Sequence, residues 1–142
     1  MSQISIKRLG KDDWQKARKS VALFWDVVPN RATIVRFLDQ PQNILLSAEM
    51  GDEPVGQLIA YVLDRWDRDE SELFLYSIDV VKTHRRKGVG KALVEELRKL
   101  GRAQGCLGTF VFTNESNFPA MQLYQTTGGN RSNPDDVMFE YD

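Results

Sequence analysis

The chain is 142 residues long, 42% hydrophobic and 27% charged, with a formal net charge of −1. That length predicts one domain over residues 1–142 with a core of its own, and the composition excludes a disordered chain. The near-neutral balance argues against non-specific nucleic-acid binding, and the longest mainly apolar stretches, around residues 59–63 and 73–81, are too short to cross a bilayer.

No basic segment followed by an apolar run opens the chain, so a cytoplasmic protein is expected. Ile4 to Leu9 alternates Ile4 and Ile6 with Lys7 and Arg8, which predicts a first or edge strand. Asp12 or Asp13 then caps a helix along which Trp14, Ala17, Val21, Phe24 and Trp25 recur at helical spacing. Pro29 breaks the pattern, Ala32 to Leu38 forms a second short helix, and Pro41 ends it. Ile44 to Met50 and Val55 to Leu63, joined by Gly51-Asp52, read as a hairpin. A charged loop from Asp64 to Ser71 leads into an apolar strand, Leu73 to Val81.

The stretch that follows carries chemistry: V-V-K-T-H-R-R-K-G-V-G-K-A-L, from Val80 to Leu93. Close-set Gly88 and Gly90 let backbone N–H groups approach a ligand, and the helix opening behind them adds unpaired donors and a dipole that favours anions. Arg85, Arg86, Lys87 and Lys91 add positive charge, so the turn is a candidate pyrophosphate cradle. It is not a P-loop, because Gly90-Lys91 is followed by Ala92. Nor is it a dinucleotide fingerprint, because Leu93 stands where the third glycine would be. The plain alternative is a basic turn with glycine for geometry alone.

Beyond the cradle, Val89, Leu93, Leu97 and Leu100 make one helix face that ends near Gly101–Gly105. Thr109 to Thr113 is expected as a buried strand, Phe118 to Thr127 as a helix closed by Gly128-Gly129, and Val137 to Tyr141 as a last strand. The order βααβββαβαβ predicts an α/β (α+β) domain, a mixed central sheet with helices on both faces. Cys106, the only cysteine, excludes an internal disulfide and reads as a small buried hydrophobe; with His84 the only histidine, no His/Cys zinc cluster forms and no metal is expected.

Arg85-x-x-Gly88-x-Gly90 between a strand and an amphipathic helix resembles motif A of the GNAT (GCN5-related N-acetyltransferase) superfamily, whose loop binds the pyrophosphate of acetyl-CoA. Asn117, Ala120, Leu123, Tyr124 and Gly128 resemble the same family's motif B, N-x-x-A-x-x-L-Y-x-x-x-G; Gly129 stands where an aromatic residue is usual, which suggests a looser turn. The element order is also that of the GNAT fold. The resemblance implies acetyl-CoA as cosubstrate, held by Arg85, Arg86, Lys87, Gly88, Val89, Gly90 and Lys91, with Asn117, Ala120 and Tyr124 from the second motif. It also implies an oxyanion donor on the backbone near a bulge, at Ile78–Val80, with Val80 and Val81 bordering the pantetheine arm. Tyr124 matches the family position that serves the leaving thiolate; the alternatives are a tyrosine packed on the core and, for Asn117, a plain helix cap.

An alkylammonium titrates near about 10.4, so roughly one in 10³ is nucleophilic at neutral pH and the site needs a group to take its proton. Asp79, Glu72, Glu115, Glu140 and Asp142 are candidates, with Asp79 ranked first because a carboxylate within an apolar strand is costly unless used or paired. Strand alternation groups Asp79 with Ser77, Leu75 and Leu73 unless a bulge intervenes.

A narrower resemblance, carried by residues 60–76, H-R-R-K-G-V-G-K-A-L and the two chain ends, is to the small aminoglycoside 3-N-acetyltransferases; there Tyr-Asp stands where this chain has Tyr76-Ser77. It implies a small-molecule amine acceptor and antibiotic resistance and leaves a homodimer open, while the charge balance and short apolar stretches predict no nucleic acid or membrane as partner. Asp64, Asp67, Asp69, Glu70 and Glu72, with Asp26, would attract a polycation; with Arg65 and Arg68 interspersed, the alternative is a solvated charged loop. Three readings compete: acetylation of a small-molecule amine, acetylation of a protein amine, and an inactive acetyl-CoA-binding module.

Overall fold

The computed structural model describes residues 3–142. In chain order these form β1 (Ile4–Arg8), α1 (Trp14–Trp25) after one 3-10 turn, α2 (Arg31–Leu38), β2 (Asn43–Met50), β3 (Glu53–Leu63), β4 (Glu72–Val80), α3 (Val89–Ala103), β5 (Thr109–Val111) and α4 (Phe118–Thr126). Asp13 is the N-cap of α1, and its carboxylate accepts from the Gly10 N–H at 2.8 Å. Asn30 caps α2, its side chain accepting from Thr33 N–H at 2.8 Å.

The five strands lie in the order β1-β2-β3-β4-β5. The first four are antiparallel neighbours and β5 runs parallel to β4. A parallel neighbour needs a crossover, and α3 supplies it. The mixed sheet with α1 and α2 on one face and α3 on the other is the expected GNAT architecture.

One irregularity positions the site. Opposite β3 the pairing steps from Ile59↔Ser77 to Ala60↔Leu75, leaving Tyr76 as the extra residue of a β-bulge. The bulge divides the group that simple alternation puts together. Leu73 and Leu75 face α3, whereas Phe74, Tyr76, Ser77 and Asp79 face α1, as the Leu73–Gly101 contact on one side and the Trp25–Asp79 contact on the other require.

The α3 face is aliphatic and tightly closed. Leu46, Ala48, Leu58, Ala60, Leu73 and Leu75 meet Val89, Leu93 and Leu97, and all are buried. Glycine allows the close approach at both ends. A Cβ on Gly56 would lie 2.8 Å from Val89 Cγ1 and 3.1 Å from Leu93 Cδ1, and one on Gly101 would lie 2.6 Å from Leu73 Cδ1. On the opposite face, Leu9, Ala17, Ile34, Leu38 and Leu45 form a second cluster, flanked by Trp14, Val21, Phe37 and Ile59.

Two expected strands differ. The segment predicted as a buried strand over Thr109–Thr113 is only the three-residue β5, with Thr109 and Phe110 exposed. It pairs with β4 only from Leu73 to Leu75, so burial on both sides does not develop. The last strand, Val137–Tyr141, does not form. Val137, Met138, Phe139 and Tyr141 are exposed and without regular structure.

The chain divides into two compact units, one ending at Phe112 and the other comprising Thr113–Asp142. In the second, α4 ends in a Schellman closure. Gly128 adopts φ +96°, Gly129 N–H bonds the Tyr124 carbonyl at 2.8 Å and Gly128 N–H bonds that of Gln125 at 3.3 Å. A Cβ on Gly129 would lie 2.9 Å from the Tyr124 oxygen. Gly129 therefore makes this turn tighter, the reverse of the loosening expected from sequence.

Candidate active site

The expected strand-to-helix turn is present. Strand β4 ends at Val80, one 3-10 turn spans Lys82–His84, and α3 starts at Val89 with Gly88 as N-cap at φ +84°. The first bond inside the helix runs from Ala92 N–H to the Gly88 carbonyl at 3.0 Å, so the amides of Val89, Gly90 and Lys91 precede the hydrogen-bond ladder. Arg86 takes a left-handed φ of +63°. Arg86, Lys87, Gly88 and Lys91 are exposed, and a Cβ on Gly88 would meet nothing within 4 Å, so space for a ligand lies over the turn. Converging amides, a positive helix end and basic side chains fit a diphosphate.

Arg85 does a second job. Its Nε donates to the Val80 carbonyl at 3.2 Å, tying the turn to the strand end, and its guanidinium acts on Asp79. Val81 N–H bonds the Val55 carbonyl at 3.0 Å, fixing the exit of the strand against β3. Because the β4–β5 ladder ends at Leu75, Ile78, Val80 and the residues between them lie on a part of β4 that β5 does not pair.

Asp79 is half-buried on the α1 side. Trp25 Nε1 donates to its Oδ2 at 3.2 Å. Burial pushes its carboxyl above the usual carboxylate range, against the opposing pulls of the Trp25 N–H and the Arg85 charge. The other base candidates differ in kind. Glu72 pairs with Arg65 at 3.2 Å and Glu115 with Arg131 at 2.9 Å, while Glu140 and Asp142 are exposed in the irregular C-terminal segment. Burial also pushes the Cys106 thiol up, away from a reactive thiolate.

From Trp25 a row of rings runs along the same face of the sheet. Trp25 stacks on Tyr76 at 6.4 Å, and Tyr61 and Phe74 meet Tyr76 edge-on at 5.7 and 5.9 Å. The acidic loop is compensated in part from within. Arg65 holds both Asp67 oxygens at 2.8 and 3.0 Å and also reaches Glu72, and Ser71 donates to Asp64 at 3.0 Å. Its field on a polycation is therefore weaker than its acid count suggests.

In the second unit, Asn117 caps α4, accepting from Ala120 N–H at 3.2 Å, which ties two motif-B residues into one turn; Tyr124 lies one turn further along the helix. The cap geometry holds whatever else Asn117 does. Among the described residues no group of three or more His, Cys, Asp or Glu is placed to hold a metal, and no helix is long and apolar enough to cross a membrane. The residues that sequence reasoning missed are Trp25 as a partner of Asp79, Gly56 as the seat of α3, and a buried Ser20–Gln57 pair. A glutamine inside V-G-Q-L-I-A and a serine on an apolar helix face were the available signals.

A strand with a bulge, running into a basic glycine turn at the start of a helix, is the framework of an acyl-CoA-binding fold. The chain belongs to the acetyltransferase (GNAT) family, whose model matches residues 8–128. It is 32% identical over 92 residues to N-acetyltransferase 8 of Homo sapiens, a match covering 65% of this chain and 40% of that protein; the chain thus aligns with about two-fifths of the length of that relative. Its fold is similar to that of an aminoglycoside acetyltransferase, meta-AAC0020 from an uncultured soil metagenomic sample, in complex with sisomicin (TM-score 0.91, 22% identity, 98% of this chain and 95% of that one). A second metagenomic aminoglycoside acetyltransferase, HMB0005, gives a TM-score of 0.88 at 28% identity over 99% and 98% of the two chains. The aminoglycoside N-acetyltransferase AAC(6′)-Iy in complex with CoA gives 0.82 at 19% identity over 100% and 96%.

Proposed function

We propose that this chain transfers an acetyl group from acetyl-CoA to a primary amine of a small cationic molecule, with an aminoglycoside as the favoured acceptor class. The observation that carries the reading is Asp79: a half-buried carboxylate at the end of the strand that runs into the cradle, held by Trp25. Acetyl-CoA supplies the activated acetyl group as a thioester. The Arg85–Lys91 turn holds its pyrophosphate, and backbone N–H groups at Ile78–Val80 meet the negative charge that develops on the carbonyl oxygen. Asp79 takes the proton that the amine nitrogen loses as it forms its bond to carbon, and Tyr124 donates a proton to the sulfur as it departs. Asn117 and Ala120 border the cofactor from α4.

The acceptor assignment rests on the sequence resemblance and on the likeness to aminoglycoside acetyltransferases. The position acetylated is proposed as 3-N; the 6′ in the name of AAC(6′)-Iy marks the competing position, and Ser77 is the departure from the 3-N pattern. We take residues 1–142 as one domain working in the cytoplasm and leave a homodimer open. The test is CoA release by purified protein with acetyl-CoA and a panel of aminoglycosides, polyamines and peptides, followed by product analysis. Turnover with an aminoglycoside is expected; turnover with a peptide amine alone would overturn the acceptor assignment. Tyr124→Phe should lower kcat by about 10²-fold or more, within the general-acid range, with little change in acetyl-CoA affinity. Wild-type turnover in that variant would leave Tyr124 a packing residue.

A further inference from the structure

Two buried polar atoms beside Asp79 have no protein partner, Gln57 Nε2 and Ser77 Oγ. Gln57 is fully buried, and its Oε1 accepts from the Ser20 hydroxyl of α1 at 2.7 Å, which fixes the amide so that its NH₂ points elsewhere. Gln57 lies directly opposite Asp79 in the β3–β4 register, and Ser77 is two residues before Asp79 on the same face. Cβ atoms of directly opposed residues are about 4.5–5.5 Å apart, so the amide, hydroxyl and carboxylate occupy one small region of the sheet.

An unpaired amide N–H in such a place is costly, and a water with several polar partners is the usual remedy. We propose that Gln57, fixed by Ser20, and Ser77 hold one buried water against Asp79, making Gln57 and Ser77 positioning residues for that carboxylate. The water accepts from Gln57 Nε2 and donates to the carboxylate, with Ser77 completing its shell. This gives Ser77 a use that an aspartate at the same position would not serve, since a second carboxylate there would repel Asp79.

The other groups facing Asp79 are accounted for. Trp25 of α1 donates directly and Arg85 acts from the turn. Lys16 of α1 is engaged by Glu49 of β2, and Lys19 by Glu53 of β3. Tyr61 and Tyr76 present rings that meet edge-on, and burial holds the Tyr61 hydroxyl above its ordinary value.

The experiment is a titration of the Asp79 carboxyl carbon by NMR in ¹³C-labelled protein, assigned by its loss in Asp79→Asn. A water that donates to the carboxylate favours the charged form, so removing it raises the midpoint. Gln57→Leu and Ser77→Ala should each move the midpoint up by about half a unit or more, roughly a threefold change in ionisation at a fixed pH on the limb. Because both variants lose the same water, the double variant should move it no further than the larger single shift. Additive shifts would mean two independent dipoles and would overturn the shared water, as would unmoved midpoints in folded Ser77→Ala, the smaller change. The catalytic consequence rests on Asp79 as base, and turnover of Asp79→Asn tests that separately. Retained turnover would remove the base and leave the titration result standing.

Discussion

The two faces of the sheet solve different problems. Against α3 the contact is aliphatic and dry, with glycine at positions 56 and 101 where the helix comes closest. Against α1 the sheet carries Ser47, Glu49 and Gln57 buried, Asp79 half-buried, and a row of aromatic rings. The dry face fixes the start of α3, and with it the cradle, because Val89 follows Gly88 and is itself wedged on Gly56. The polar face gives up packing to keep a carboxylate out of bulk water beside the same strand end. A single strand, β4, serves both because the bulge at Tyr76 resets which side its residues face.

Breaking the polar face should have the larger effect on rate. Asp79→Asn is expected to lower kcat/KM by about 10²-fold or more, within the range for a lost general base, while the protein stays folded. Wild-type kinetics in that variant would return the site to one in which water takes the proton. Breaking the dry face should register as stability. Gly56→Ala places a Cβ 2.8 Å from Val89 Cγ1, 3.1 Å from Leu93 Cδ1 and 3.3 Å from the Ala48 Cβ, so an overpacking loss of about 1–3 kcal/mol is expected in denaturant unfolding. The same variant should weaken acetyl-CoA binding through the displaced start of α3; an unchanged denaturation midpoint would show that the helix shifts freely.

The smallest effect sharpens the electrostatics. Burial holds the Asp79 carboxyl above the ordinary range and the Trp25 N–H pulls it down, so Trp25→Phe should let it rise further. The acid limb of kcat/KM, which reports the free enzyme, should then move to higher pH, with activity below the limb falling and activity well above it preserved. A limb that moves down, or not at all, would separate the indole from the base.

The basic glycine turn between β4 and α3 was legible in the sequence because its parts are local. Two glycines, four cations and a strand-to-helix switch fall within Arg85–Lys91 and owe nothing to distant residues. The antiparallel hairpin was legible for the same reason, as was α4 with its Asn117 cap. Asp79 could be ranked but not placed, since its face depends on the register of β4 against β3, which a bulge changes by one residue. The Ser20–Gln57 pair joins residues far apart in the chain and appears only when α1 lies on β3. Val137–Tyr141 has strand composition yet remains unpaired, because a strand requires a neighbour's backbone as well as β propensity. In the acidic loop the pairing of Arg65 with Asp67 and Glu72 is a matter of side-chain geometry that composition does not show.

The most direct test of the division between the two faces is a calorimetric titration of acetyl-CoA into wild-type protein, Gly88→Asp and Asp79→Asn. Gly88 holds a φ of +84°, so Gly88→Asp strains the turn and brings a negative charge to the phosphate site, and it should abolish binding. Asp79→Asn should bind acetyl-CoA as the wild type does, despite its lost turnover. Undiminished binding by Gly88→Asp would contradict the account.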